Sequence, residues 1–306
     1  MGERSLDILC MGEALVEFVR MSGGDTWQGG FGGDTSNCAI AAVRQGARVG
    51  YLTALGNDRF GDILLELWRS EGIDVSGVRR DPSAPTGVYF IEPAPEGRDF
   101  TYYRAGSAAS RLAPEHLPEP LIRRARIFQT SAITQAISES ACDAVFRAVA
   151  LARAHGARVA YDANLRLNLW SLERARSIIH ETMRHADILL PSLDEAQILT
   201  GLDRPEAILD RYLKHEPELL ALTCGADGAW IAARGRIEHI PAPRLATVDT
   251  SGAGDTFAGS LLARLAAGDG EFEAARYAVT AAALSTTGYG AVGPIPDRVR
   301  TMTALG

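Results

Sequence analysis

Apolar and polar positions along the chain fall into two alternating textures. Compact apolar runs at 8–11, 49–55, 125–129, 158–162, 187–190 and 219–223 have the length of buried strands. Longer stretches at 34–45, 60–70, 138–155, 172–185 and 205–214 carry apolar residues at helical spacing. Strand and helix in regular succession predict an α/β fold with a mainly parallel sheet. Ligands of such folds sit beyond the C-terminal ends of the strands. Two stretches, 13–28 and 86–104, follow period two instead. In the second, two alternating halves flank a segment with Pro93, Pro95 and Gly97, which reads as a hairpin. The expectation is a small antiparallel sheet apart from the main layer. It is either a lid over the mouth of the site or an edge hairpin without a role. The last third, 252–267 and 271–287, is helical and rich in alanine, as closely packed helices are. No repeat or low-complexity linker interrupts the pattern, so the reading is a single domain over 1–306.

Composition narrows the function classes. The chain has 306 residues, 46% apolar and 23% charged, enough for a large core and too apolar for disorder. Its net charge of −7 argues against a duplex nucleic-acid binder. Of 31 basic residues only Lys214 is a lysine. A P-loop needs a lysine after its glycines, and Schiff-base and pyridoxal-phosphate enzymes need one at the reacting carbon. Lys214 lies in a polar helical stretch, and no Gly-Lys pair exists, so these classes are set aside. Cys10, Cys38, Cys142 and Cys224 are far apart and form no CxxC, which argues against structural zinc and a disulfide framework. The N-terminus does not read as a signal peptide and no run approaches a membrane span. The expected location is cytoplasmic, with no membrane or nucleic-acid partner.

Two glycine-bearing segments carry candidate chemistry. Residues 248–257 run from a loop straight into an apolar helix. The first N–H groups of a helix lack internal partners, and the helix dipole is positive there. Gly252, Ala253, Gly254 and Asp255 therefore form a candidate anion cradle suited to phosphate. Asp255 adds negative charge beside a phosphate, which makes sense if it takes a proton from a substrate hydroxyl. The competing reading is a capped helix with packing glycines. Residues 29–37, with Gly32, Gly33 and Asn37, join a lid strand to a helix and let a ligand approach the backbone.

Together these segments resemble the two signatures of the ribokinase-like (PfkB) carbohydrate kinases. Gly56 to Asp58 with Gly61, and Gly225 to Gly228, match that family in order and approximate spacing. The resemblance spans nearly the whole chain and implies a three-layer sandwich with a small β lid, ATP as phosphoryl donor and Asp255 as base. Within the family, 102–110, 131–134 and 162–170 are most similar to 2-keto-3-deoxygluconate kinases. That likeness implies a sugar-acid substrate phosphorylated at its terminal hydroxyl to the 6-phosphate. Arg104 and Arg166 would meet its carboxylate, since guanidinium and carboxylate match as a bidentate fork. Tyr89 and Tyr103 would cover the sugar, and Ile133 and Asp249 would also contact it.

For the nucleotide, the resemblance implies Ser192, Thr223, Gly225 and Gly228, with the 287–293 loop near the adenine. Glu195 would hold Mg²⁺ through water. Ser192 stands where many relatives have asparagine. Many relatives also use a monovalent cation such as K⁺, held by backbone carbonyls that a sequence does not display. A dimer or larger homo-oligomer is expected through exposed lid edges. The alternatives are a fructokinase or other neutral-sugar kinase and, from another class, a non-catalytic sugar or nucleotide sensor. The intact cradle and base argue against the sensor.

Overall fold

The structure, a computed structural model, describes residues 5–21, 25–94 and 97–306. The strands are β1 (Leu6–Met11), β2 (Leu15–Arg20), β3 (Trp27–Gly32), β4 (Val49–Gly56), β5 (Asp74–Asp81), β6 (Val88–Ala94), β7 (Gly97–Tyr103), β8 (Ala125–Ser131), β9 (Arg158–Asp162), β10 (Ile188–Leu190), β11 (Leu219–Thr223), β12 (Ala229–Ala233) and β13 (Arg236–Ile240). Nine form one sheet in the order β13-β12-β11-β10-β9-β8-β1-β4-β5. Pairing is parallel from β5 through β11 and antiparallel at β12 and β13.

Alternation along each strand builds two cores, one on each face of this sheet. On β1, Ile8 and Cys10 pack toward the helices Asp34–Arg44, Ala253–Ala267 and Glu271–Ser285. Leu9 and Met11 pack toward Glu139–Ala154, Leu172–Met183, Leu193–Thr200 and Pro205–Tyr212. The alanine-rich helices meet through small side chains, among them Ala41, Ala42, Ala258, Ala274 and Ala278. Ser138 and Ser171 cap two of the helices by accepting from Ala141 N at 3.0 Å and Arg174 N at 3.3 Å.

Three strands lie outside the predicted set. β5 is an edge strand whose Arg79 and Arg80 are only half-buried, so it has no apolar run to read. β12 and β13 form a short hairpin turning at Arg234 and Gly235, both at positive φ.

The second sheet has the order β3-β2-β6-β7. The antiparallel expectation holds for β2 with β3 and for β6 with β7, but β2 pairs with β6 in parallel. Between β3 and β6 the chain passes through two helices and two strands of the main sheet, and that crossover returns it in the direction of β2. The tip at 95–96, where the hairpin was expected to turn, lies outside the described residues.

Sequential strands run from β1 to β4 and β5 on one side, and from β8 to β11 on the other. The order therefore reverses between β1 and β8, the switch point where open α/β sheets leave a crevice. Among the described residues no helix is long and apolar enough to cross a membrane.

Candidate active site

The crevice is a cavity of about 400 Å³ between the C-terminal strand ends and the second sheet. Past β1 stands Glu13, past β8 Ile133, past β9 Asn164 and Arg166, and past β10 Ser192 and Glu195. The lid sheet contributes Glu17, Gly32, Tyr89, Phe100 and Tyr102. Gly252 to Asp255, at the start of the Ala253–Ala267 helix, close the wall.

Gly252 shows why that helix starts as it does. Its φ of 71° is left-handed, and a Cβ there would lie 2.9 Å from the Ala291 carbonyl oxygen. The N–H groups of Gly254 and Asp255 have no partner among the described residues, which leaves the anion cradle open. Gly33, at φ 115°, makes the corresponding bend into the Asp34–Arg44 helix.

Asn37 on that helix reaches across to the cradle, and its Nδ2 donates to Asp255 Oδ2 at 2.8 Å. The other amide atom, Asn37 Oδ1, is buried without a partner among the described residues. Burial is the largest influence on the Asp255 carboxyl, followed by the negative charge of Asp34. Asn37 and Arg166 pull the other way, and the carboxyl ends pushed up to about 7. Asp162 is held well above the usual carboxylate range by burial and by Glu195, Asp34 and Asp255.

Arg166 is exposed. Its Nη1 donates to the Leu165 carbonyl at 2.8 Å and lies 3.5 Å from Glu195 Oε1. Arg104 is mostly covered, ion-paired with the buried Glu13, and its Nε lacks a partner among the described residues. Burial raises the Glu13 carboxyl, against the opposing pull of Arg104.

A second cavity, about 340 Å³, adjoins the first and shares Thr223, Thr250, Ala253, Gly254 and Phe257 with it. Its remaining wall includes Gly225, Gly228, the 242–247 loop and the apolar face of the Glu271–Ser285 helix at Val279, Ala282 and Ala283. An acidic and polar chamber thus meets a more apolar one at a helix N-terminus.

Comparison with known proteins gives this arrangement a family. The pfkB family carbohydrate kinase profile matches residues 5–298. The chain belongs to the pfkB family of carbohydrate kinases. It is 34% identical to the 2-dehydro-3-deoxygluconokinase of Thermoproteus tenax over 92% of this chain and 89% of that one. It is 33% identical to Fructokinase-1 of Oryza sativa subsp. japonica over 100% of this chain and 99% of the other. Among solved structures, a putative ribokinase II from E. coli in complex with ATP and Mg²⁺ superposes with a TM-score of 0.91. It is 25% identical, with 98% of this chain and 99% of that one covered.

In this pfkB kinase, most residues expected from sequence line the two cavities: Gly32, Gly33, Asn37, Tyr89, Arg104, Ile133, Arg166, Ser192, Glu195, Thr223, Gly225, Gly228 and Gly252 to Asp255. Three expectations need correction. Tyr103 is 65% exposed and packs edge-on against Phe90, on the lid face away from the cavity. Tyr102 faces inward instead, paired with Tyr89 across β6 and β7 and stacked on it at 5.4 Å. Strand alternation explains the exchange: Tyr102 and Arg104 share a parity that Tyr103 does not.

Asp249 does not line either cavity. Its Oδ1 accepts from Ser251 N at 3.0 Å and Ser251 Oγ at 2.8 Å, and its Oδ2 accepts from Gly290 N at 3.1 Å. It braces the loop before the cradle. Of the 287–293 loop, only Ala291 lines a cavity, and that is the first one.

Sequence reasoning also passed over Asp34 and Asp162. Both line the first cavity, and Asp34 accepts from Asn164 Nδ2 at 2.9 Å. Each sat inside a motif already singled out, Asp34 directly after Gly33 and Asp162 at the C-terminal end of β9. Ser192 and Glu195 form a reciprocal capping box at the start of the Leu193–Thr200 helix. That fixes the Glu195 carboxylate toward the cavity.

Among the described residues no cluster of three or more acidic, histidine or cysteine ligands could hold a metal directly. The crowding of Asp162, Glu195, Asp34 and Asp255 nonetheless suits a hydrated divalent cation that arrives with nucleotide phosphates.

Proposed function

We propose that this pfkB kinase phosphorylates a sugar acid of the 2-keto-3-deoxygluconate type at its terminal hydroxyl, giving the 6-phosphate, with Asp255 as the base. The observation that carries the reading is a pair of arginines, Arg104 and Arg166, lining the same cavity as the Asp255 carboxyl. A neutral sugar needs hydroxyl partners, whereas a sugar acid needs a cation. Arg166 is free to supply it: its side chain is 48% exposed and only loosely tied to Glu195. Arg104 keeps an uncommitted Nε for the same carboxylate or a neighbouring oxygen. The 34% identity to a 2-dehydro-3-deoxygluconokinase supports this assignment.

In the proposed reaction the hydroxyl oxygen attacks the γ-phosphorus of ATP, its proton passes to Asp255, and ADP leaves. Asn37 holds the base through Nδ2 and offers Oδ1 to a substrate hydroxyl. The N–H groups of Gly254 and Asp255 stabilise charge on the phosphates. The apolar wall of the second cavity receives the adenine, with Thr223, Gly225 and Gly228 at its near end. Glu195, with Asp162 close by, would hold Mg²⁺ through water, and the ion would neutralise charge on the phosphates. Tyr89 and Tyr102 stack beneath the lid and exclude water that would otherwise accept the phosphoryl group.

Fructose phosphorylation is the competing reading, and one observation favours it. The buried Glu13 already neutralises Arg104, which leaves Arg166, itself 3.5 Å from Glu195, as the less committed cation on the sugar side. The plant fructokinase identity of 33% points the same way. Arg166→Ala separates the two readings. The sugar-acid reading expects KM for the acid to rise about tenfold or more while KM for a neutral sugar stays put. An unchanged KM for the acid removes Arg166 from the carboxylate role.

A further inference from the structure

The helices Leu172–Met183 and Pro205–Tyr212, with the turn Leu213–His215, wall a third cavity of about 290 Å³ that shares no residue with the other two. Three guanidiniums, Arg176, Arg184 and Arg211, line it against one carboxylate, Glu181. In a chain of net charge −7, that is a local inversion of sign. Glu181 offsets only part of it: its oxygens lie 3.8 Å from Arg184 Nε and 3.3 Å from His185 Nε2, and among the described residues neither Arg176 nor Arg211 is ion-paired.

Arg176 is anchored from behind. Its Nε donates to the Leu199 carbonyl at 3.0 Å and its Nη2 to the Ile198 carbonyl at 2.7 Å, which leaves Nη1 uncommitted. The Arg211 side chain has no hydrogen bond or ion pair among the described residues. Two imidazoles complete the wall, His180 and His215, with ring centres 6.4 Å apart. Nε2 of each is shielded and has no partner among the described residues. Burial, reinforced by the surrounding arginines, pushes His180 down to about 4, which leaves that ring neutral at pH 7, and lowers His215 as well.

Three guanidiniums against a single carboxylate, two of them without an ionic partner among the described residues, and ring nitrogens without partners, converging on one depression, match the chemistry of an oxyanion with several charged oxygens. We propose that this cavity binds a small multivalent oxyanion, free phosphate or a phosphate monoester, at a site separate from the kinase active site. Guanidiniums of Arg176, Arg184 and Arg211 take the oxygens, and an imidazole of His180 or His215 contributes a single N–H.

The test follows the ring resonances of His180 and His215 by NMR, with the active site kept saturated by MgADP. Inorganic phosphate and glycerol 3-phosphate are the probes, each raised to about 10 mM. The proposal expects both rings to shift saturably with at least one probe. The tighter probe tells free phosphate from monoester. In the Arg184→Gln, Arg211→Gln double variant, apparent affinity should fall about tenfold or more while kcat without added anion is unchanged. Both arginines are exposed, so the variant keeps the parent Tm, and Arg211→Gln alone serves as a milder check. Rings that do not move, or that move equally in the variants, overturn the proposal. Neither result depends on the kinase assignment, because the reporting histidines lie outside those cavities.

Discussion

At Asp255, burial and Asp34 push the carboxyl up, while Asn37 and Arg166 pull it down. A carboxyl resting at about 7 is poised to gain and lose a proton at neutral pH, which an ordinary aspartate is not. Two outcomes follow. First, kcat/KM should fall about tenfold per pH unit below pH 7, because protonation removes the base, and Asp255→Asn should lower kcat by about a thousandfold. A pH profile flat down to pH 5 contradicts the base role. Second, a raised folded-state pKa means that folding takes up a proton between the ordinary carboxylate range and about 7. Stability is therefore lost as pH rises through that window, and the full penalty is present above it. Asp255→Asn should raise Tm at pH 8 by on the order of 5 °C, with the gap closing toward pH 4. At this scale Asp255 and Asn37 were legible as cavity residues because each stands in a motif whose spacing carries physics. Asp249 was not placed by its motif because the same carboxylate chemistry serves a loop brace as well as a substrate, and its three hydrogen bonds, from Ser251 N, Ser251 Oγ and Gly290 N, belong to the brace.

Helix starts and strand parity carry the next level. Gly252→Ala places a Cβ against the Ala291 carbonyl and forces an L-residue to φ 71°. It should cost about 1–3 kcal/mol of stability and raise KM for ATP, read by urea unfolding and steady-state kinetics. Unchanged stability and KM contradict the cradle geometry. In the lid, Tyr102→Ala should lower kcat/KM by about tenfold or more, whereas Tyr103→Ala should leave it within about twofold, since only Tyr102 stacks over the cavity. Equal losses contradict the assigned faces. Strand alternation alone would have found this, because a choice of Arg104 as inward excludes its neighbour. The buried strands β1, β4, β8, β9 and β11 were legible from their apolar runs. β5 and β13 were not, because these edge strands carry no apolar run and owe their pairing to neighbours, whereas β12 does carry one, Ala229 to Ala233, that the sequence reading passed over.

Across the whole molecule, strand order does what no single motif can. It reverses between β1 and β8 and brings residues from 13 to 291 around one crevice. Family membership follows from the match over 5–298, and the fold from that arrangement of strands. Substrate identity depends instead on the charge balance of a few side chains around the sugar. Six carboxyl groups and two guanidiniums line the first cavity, and sequence spacing does not reveal that Glu13 is already paired with Arg104. Sugar-acid preference is therefore the claim to test first. ADP release with MgATP should be compared across 2-keto-3-deoxygluconate, 2-keto-3-deoxygalactonate, fructose and ribose at equal concentration. The account predicts a preference of about tenfold or more for the acids, the discrimination expected of a charge-paired carboxylate. A preference for fructose would contradict it and return Arg166 and Arg104 to roles in shaping a neutral-sugar site.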